Sequence, residues 1–195
     1  VRIPEEFAAR YRRKGYWEDK SLATQFRGVF EKYRERIAIV DGNSTLTYGQ
    51  LDNISDNLAL NLLDLGLRPL DRVVVQLPNT LEFVVLYFAL QKIGVIPVLA
   101  LPAHRYLEIN QFVQISGAVA CVTSDRAKNV NFSEMVRRIQ GNHSHLRLHL
   151  VLGETESGGI SLRDLIDRKA SREPASLANI SIDPDDPAVF LLSGG

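Results

Sequence analysis

The run Ala188-Val189-Phe190-Leu191-Leu192-Ser193-Gly194-Gly195 joins an apolar stretch of buried-strand character to a hydroxyl and two glycines. Glycines let backbone N–H groups approach an anion closely, and a serine hydroxyl adds a donor. Ser193, Gly194 and Gly195 are therefore candidates for binding a nucleotide phosphate. A plain tight turn is written with the same residues, and these residues alone do not separate the two. A Walker-type loop needs a Lys and a Ser or Thr after its glycines; those positions are not in this sequence, so that chemistry stays open. Serine hydrolysis is a poor fit, because Ser193 has no identifiable base and no Gly-x-Ser-x-Gly elbow occurs.

Two other groups could do chemistry. His104-Arg105 opens a helix just past a strand, where an imidazole or guanidinium can face a carboxylate or phosphate or simply meet solvent; no second catalytic residue pairs with it. His143, His145 and His149 invite a metal, but His145 and His149 stand four strand positions apart, over roughly 10 Å by strand rise. One ion does not bridge that gap directly, so no metal ligand is assigned and a surface strand with its preceding turn is expected. Cys121 is the only cysteine, which rules out an intramolecular disulfide, and its apolar neighbours mark a small buried hydrophobe.

At 195 residues and 45% hydrophobic, the chain can bury a substantial core. Lys plus Arg and Asp plus Glu each total 23, so no net field favours nucleic acid or an anionic membrane. The basic run Arg10, Arg12, Arg13 and Lys14 beside Glu5 and Glu6 reads as a solvated helix face. The strongly apolar stretch 83–90 is far shorter than the roughly 20 residues a bilayer requires. Acidic residues stand where a signal peptide needs an apolar core, and a cytoplasmic setting is expected.

The elements that must position these residues follow from periodicity. Residues 4–36 read as a helical, polar lead-in with aromatic anchors. Residues 37–40 and 45–47 form a hairpin about an Asp-Gly turn. Thr47 and Gln50 fit a capping box opening a helix with Leu51, Ile54, Leu58, Leu62 and Leu65 on one face, ending at Gly66. Strands at 72–77, 95–101, 118–123 and 146–152 then alternate with helices at 81–93, 106–115 and 132–140, and a short helix covers 161–168. Pro97 suggests an edge or irregular position for its strand. Residues 170–186, with Pro174 and Pro184, read as an irregular connector to the final strand. Continuous apolar strands separated by helices imply a doubly wound, largely parallel α/β sheet with helices on both faces. Ligands in such folds bind beyond the carboxyl ends of strands: here 78–80, 102–105, 124–125 and 193–195.

Three segments in order resemble the acyl-adenylate-forming enzymes, the family of acyl-CoA synthetases, luciferases and nonribosomal adenylation domains. Leu46-Thr47-Tyr48-Gly49-Gln50-Leu51-Asp52 is similar to the family's first core motif. Leu90-Gln91-Lys92-Ile93-Gly94-Val95-Ile96-Pro97-Val98 is similar to its second. Leu192-Ser193-Gly194-Gly195 is similar to the start of its phosphate-binding loop, which continues in the family through threonines and glycine to Pro-Lys. Within the family, Tyr11-Arg12-Arg13-Lys14-Gly15-Tyr16-Trp17 and Ala100-Leu101-Pro102-Ala103-His104-Arg105 resemble the aryl-acid subgroup, the salicylate or 2,3-dihydroxybenzoate AMP ligases of siderophore assembly.

The resemblance implies a helical lead-in at 1–36 and an α/β N-terminal subdomain at 37–195, incomplete at the phosphate-binding loop. It implies an enzyme that uses ATP and Mg²⁺ to convert an aromatic carboxylic acid to aryl-AMP, then passes the aryl group to the phosphopantetheine thiol of an aryl carrier protein. It assigns Ser193, Gly194 and Gly195 to the nucleotide and no catalytic residue to this span, because the aryl pocket, the ribose contacts and the catalytic lysine lie downstream in the family. The span alone is thus expected to be inactive. Acyl-CoA or aryl-CoA synthetases share the early motifs. A noncatalytic module that binds a protein through its N-terminal helices is the alternative of another class.

Overall fold

The computed structural model describes residues 3–42, 44–127, 130–155 and 158–191; Ser193, Gly194 and Gly195 lie outside the described residues. The lead-in is helical in two pieces, α1 (Glu5–Arg13) and α2 (Leu22–Lys32), with a break between them. Glu5 and Glu6 occupy the first turn of α1 and Arg10, Arg12 and Arg13 the last, so the basic run complements the helix dipole. A hairpin of β1 (Ile37–Asp41) and β2 (Ser44–Thr47) follows, with Asp41 opposite Ser44.

Local sequence chemistry starts the next helix, α3 (Tyr48–Asp64). The Gln50 N–H donates to Thr47 Oγ1 at 3.2 Å and the Thr47 N–H to Gln50 Oε1 at 2.8 Å, closing the expected capping box. Strand and helix then alternate through β3 (Arg72–Gln76), α4 (Leu81–Lys92), β4 (Ile96–Leu99), α5 (Tyr106–Ser116) and β5 (Ala120–Ser124). A two-residue ribbon, β6 (Arg126–Ala127) and β7 (Val130–Asn131), leads into α6 (Phe132–Asn142) and β8 (Leu148–Leu152). The chain continues through β9 (Ile160–Ser161), α7 (Leu162–Asp167) and a 3₁₀ turn at Pro174–Asn179 to β10 (Phe190–Leu191).

Six strands form one sheet in the order β10-β4-β3-β5-β8-β9, every pair parallel. Val73 and Val75 turn toward α3, α4 and α7, packing with Leu58, Leu62, Val85, Ala89 and Leu165. Val74 and Cys121 face α5 and α6, among Ile109, Val113, Val136 and Ile139. Helices therefore cover both faces, giving the doubly wound α/β fold expected from the alternation.

Two strand expectations are corrected. Pro97 lies in an internal strand, because β4 sits between β10 and β3. The N–H groups of Ile96 and Ala100 donate to Asp71 O at 2.8 Å and Val75 O at 2.9 Å, so alternation turns the Pro97 nitrogen away from β3. On that other side β10 begins only opposite Val98, and the missing N–H forfeits no ladder bond. The final strand, expected to be buried, is described over Phe190 and Leu191, and within this 195-residue span these are 39% and 71% exposed. Among the described residues nothing pairs with its outer side.

Candidate functional site

The residues of the first two motif-like segments meet in space. Gly49 packs so close to Arg34 that a Cβ would stand 2.7 Å from its Cγ and 3.2 Å from its carbonyl oxygen, so only glycine fits there. Asp52 and Asp56, one turn apart on α3, both reach the Lys92 ammonium at 2.6 Å through Oδ1. The Asp52 carbonyl takes a third bond at 2.8 Å, so all three ammonium protons are placed. Lys92 is only 8% exposed, and its Nζ lies 5.4 Å from the Phe30 ring centroid. Burial pushes the Asp56 carboxyl above its ordinary range, against the opposing hydrogen bond and charge of Lys92.

The next residue back, Gln91, is 5% exposed and sends its amide Nε2 to Ala188 O at 2.7 Å. Gly94, with φ +66°, receives Ile182; a Cβ there would meet Ile182 Cγ1 at 3.1 Å. Arg12, bonded to Asp19 at 2.9 Å, lies 3.4 Å from Asp185. The segment that delivers β10 is thus held at Ile182, Asp185 and Ala188. A cavity of about 430 Å³, lined in part by Trp17, Gln91, Gly94, Ile182, Asp183 and Ala188, lies beside it. The first two motif-like segments are joined directly, Asp52 to Lys92, and Gln91 of the second bonds Ala188, two residues before β10; the third, 192–195, lies outside the described residues.

Gln91, Lys92, Asp52 and Asp56 were not singled out by sequence reasoning. A signal existed, since two carboxylates at i and i+4 repel each other on an isolated helix and Lys92 ends an otherwise apolar run.

The other strand exits hold themselves closed. At the end of β3, Gln76 donates through Nε2 to both Leu101 O and His104 O at 2.9 Å, fastening the 101–104 loop to the end of β3. His104 Nδ1 accepts the Leu101 N–H at 3.1 Å and its ring packs edge-on against Phe112. Arg105 donates to Pro102 O and His104 O, while Glu108 accepts the Arg105 N–H at 2.9 Å. Both side chains serve the loop and the start of α5. Thr80 caps α4 through the Phe83 N–H, and Asp125 accepts the Glu154 N–H at 3.1 Å.

The histidines separate. His143 bonds Asn110 Oδ1 at 3.0 Å and its ring stands 5.4 Å from that of His145. His149, expected on a surface strand, is buried: β8 lies between β5 and β9, and Nε2 pairs with Thr123 Oγ1 at 2.9 Å. Burial, reinforced by the positive charge of Arg137, lowers its pKa to about 4. Cys121 is fully enclosed in β5, and burial raises its thiol pKa to about 12. Among the described residues, no three His, Cys, Asp or Glu cluster to hold a metal, and no helix is long and apolar enough to cross a membrane.

Known proteins extend this geometry. Across 98% of its length the chain is 40% identical to triostin synthetase I of Streptomyces triostinicus, and covers 34% of it. It is 36% identical, over its full length, to the salicyl-AMP ligase / salicyl-S-ArCP synthetase of Mycobacterium tuberculosis, again 34% of that protein. It is 37% identical over 98% of its length to the 2,3-dihydroxybenzoate-AMP ligase of Bacillus subtilis, 34% of that protein. The chain thus spans about a third of these relatives. The apo structure of MbtA from Mycobacterium smegmatis superposes on the whole chain with a TM-score of 0.87 and 36% identity, over 35% of that structure. The family model described as AMP-binding enzyme matches residues 26–195, and the chain belongs to that family.

Proposed function

We propose that the full-length protein carrying this span activates an aromatic carboxylic acid, salicylate or 2,3-dihydroxybenzoate, for siderophore assembly. A carboxylate oxygen attacks the α-phosphorus of ATP, the bond to pyrophosphate breaks, and aryl-AMP forms. The phosphopantetheine thiol of an aryl carrier protein then attacks the carbonyl carbon, loses its proton and releases AMP. Such a site must neutralise charge developing on phosphoryl oxygens with oriented donors and cations. Ser193, Gly194 and Gly195 are assigned to the phosphates. Mg²⁺ would supply further positive charge there, and no described residue is assigned to it.

The observation that carries this reading is the linkage from Asp52 through Lys92 and Gln91 to Ala188, coupled with 36–37% identity, over 98–100% of this chain and 34% of theirs, to two aryl-acid AMP ligases. The family motifs present here tie α3 to α4 and α4 to the segment that leads toward residues 193–195. Residues 1–36 form a lead-in and 37–195 an N-terminal subdomain that ends at this loop, working in the cytoplasm. The span alone lacks the catalytic set and is inactive.

The test is transfer of labelled salicylate and 2,3-dihydroxybenzoate by the full-length protein to a holo aryl carrier protein and, separately, to coenzyme A. Carrier-protein labelling well above coenzyme A labelling is expected. Labelling of coenzyme A alone would replace the acceptor with that of an aryl-CoA synthetase.

A further inference from the structure

We propose that one internal water molecule joins Gln76 to Thr123 at the carboxyl ends of β3 and β5. Gln76 is buried, and its amide nitrogen is committed to two acceptors, Leu101 O and His104 O. Its Oε1 is enclosed and meets no donor among the described residues. Turning the amide over would set that oxygen against two carbonyl oxygens, so its orientation is fixed. A buried acceptor with no donor is costly, and internal waters characteristically satisfy such groups.

The sheet order supplies the water's second partner. β3 lies between β4 and β5. The Gln76 donors reach the loop that follows β4, on one side, and the ladder pairs Gln76 with Thr123 on the other. Alternation along each strand puts both side chains on the face that carries Val74 and Cys121, under α5 and α6. Thr123 is fully buried, and its Oγ1 pairs with His149 Nε2 at 2.9 Å. A hydroxyl has one donor and two acceptor positions, so that bond leaves capacity for another. A water that donates to Gln76 Oε1 and bonds Thr123 Oγ1 has two polar partners, within the roughly two to four that hold internal water. Gln76 with Thr123 is the last pair of the β3–β5 ladder, so the water adds a side-chain link where the backbone pairing of these strands stops. It also ties the 101–104 loop, through the Gln76 amide, to the buried Thr123–His149 pair.

A crystal structure of the full-length protein, at a resolution that shows ordered water, tests the site without any substitution. We expect one isolated density peak within about 2.5–3.2 Å of both Gln76 Oε1 and Thr123 Oγ1. A protein donor on Oε1, or no peak there, overturns the proposal. Urea denaturation of the full-length protein with Gln76→Met, Thr123→Val and both together gives a second reading. A shared water makes the two losses overlap. The factor by which Thr123→Val lowers the folding equilibrium constant should be about fivefold smaller in the Gln76→Met background than in wild type. Thr123→Ser keeps the hydroxyl and should lower it by the same factor in both backgrounds. Equal factors for Thr123→Val overturn the proposal. An overlap that Thr123→Ser shows in full comes from packing and overturns it as well.

Discussion

His149 is the residue whose surroundings most change its chemistry. It is held neutral in the folded protein, with its pKa lowered from an ordinary 6.5 to about 4 by burial and by Arg137. The unfolded chain takes up a proton near pH 6.5 and the folded chain only near pH 4, so the unfolded state binds more protons between those values. Stability is therefore fully present above pH 6.5 and falls as pH drops toward 4, by up to about 3 kcal/mol. Urea denaturation across that range should show the slope, and His149→Gln should flatten it. Cys121, with its thiol raised to about 12, should resist iodoacetamide at pH 8 in the folded protein and react once unfolded. Burial of Cys121 was legible because apolar residues flank it on both sides. Burial of His149 was not, because Arg147, His149 and Val151 alternate with leucines, a pattern that reads as a half-exposed strand until α6 is known to cover that side.

Between elements, the tie from α3 to α4 decides how firmly the second motif is held. Replacing Lys92 with Met leaves Asp52 and Asp56 facing each other half-buried, and should cost about 3 kcal/mol in urea denaturation. Adding Asp52→Asn and Asp56→Leu should recover much of that loss, since the unpaired charges disappear with the cation. Gly94→Ala places a Cβ at φ +66° and against Ile182, and should cost about 1–2 kcal/mol. Features confined to one turn were readable: the Thr47–Gln50 capping box and the helix ends appear as expected. The Lys92 cluster was not, because its partners lie 36 and 40 residues away and meet only when α3 packs on α4. Pro97 misled for a related reason, since one missing N–H matters only according to which neighbour it faces.

At the scale of the molecule, the alternation of apolar strands and helices was enough to foresee a parallel α/β sheet, while the strand order was not. The place of β10 beside β4 comes from a long-range pairing that no local pattern encodes, and the candidate phosphate residues Ser193, Gly194 and Gly195 fall beyond the described residues. The chain covers about a third of its curated relatives, so the proposed chemistry is assigned to the full-length protein. The most direct measurement is ATP–pyrophosphate exchange by that protein with salicylate, 2,3-dihydroxybenzoate and a set of aliphatic acids, beside the 195-residue span alone. We expect exchange that depends on the aryl acids and is absent from the span. Exchange driven only by aliphatic acids, or robust exchange by the span itself, would contradict the assignment.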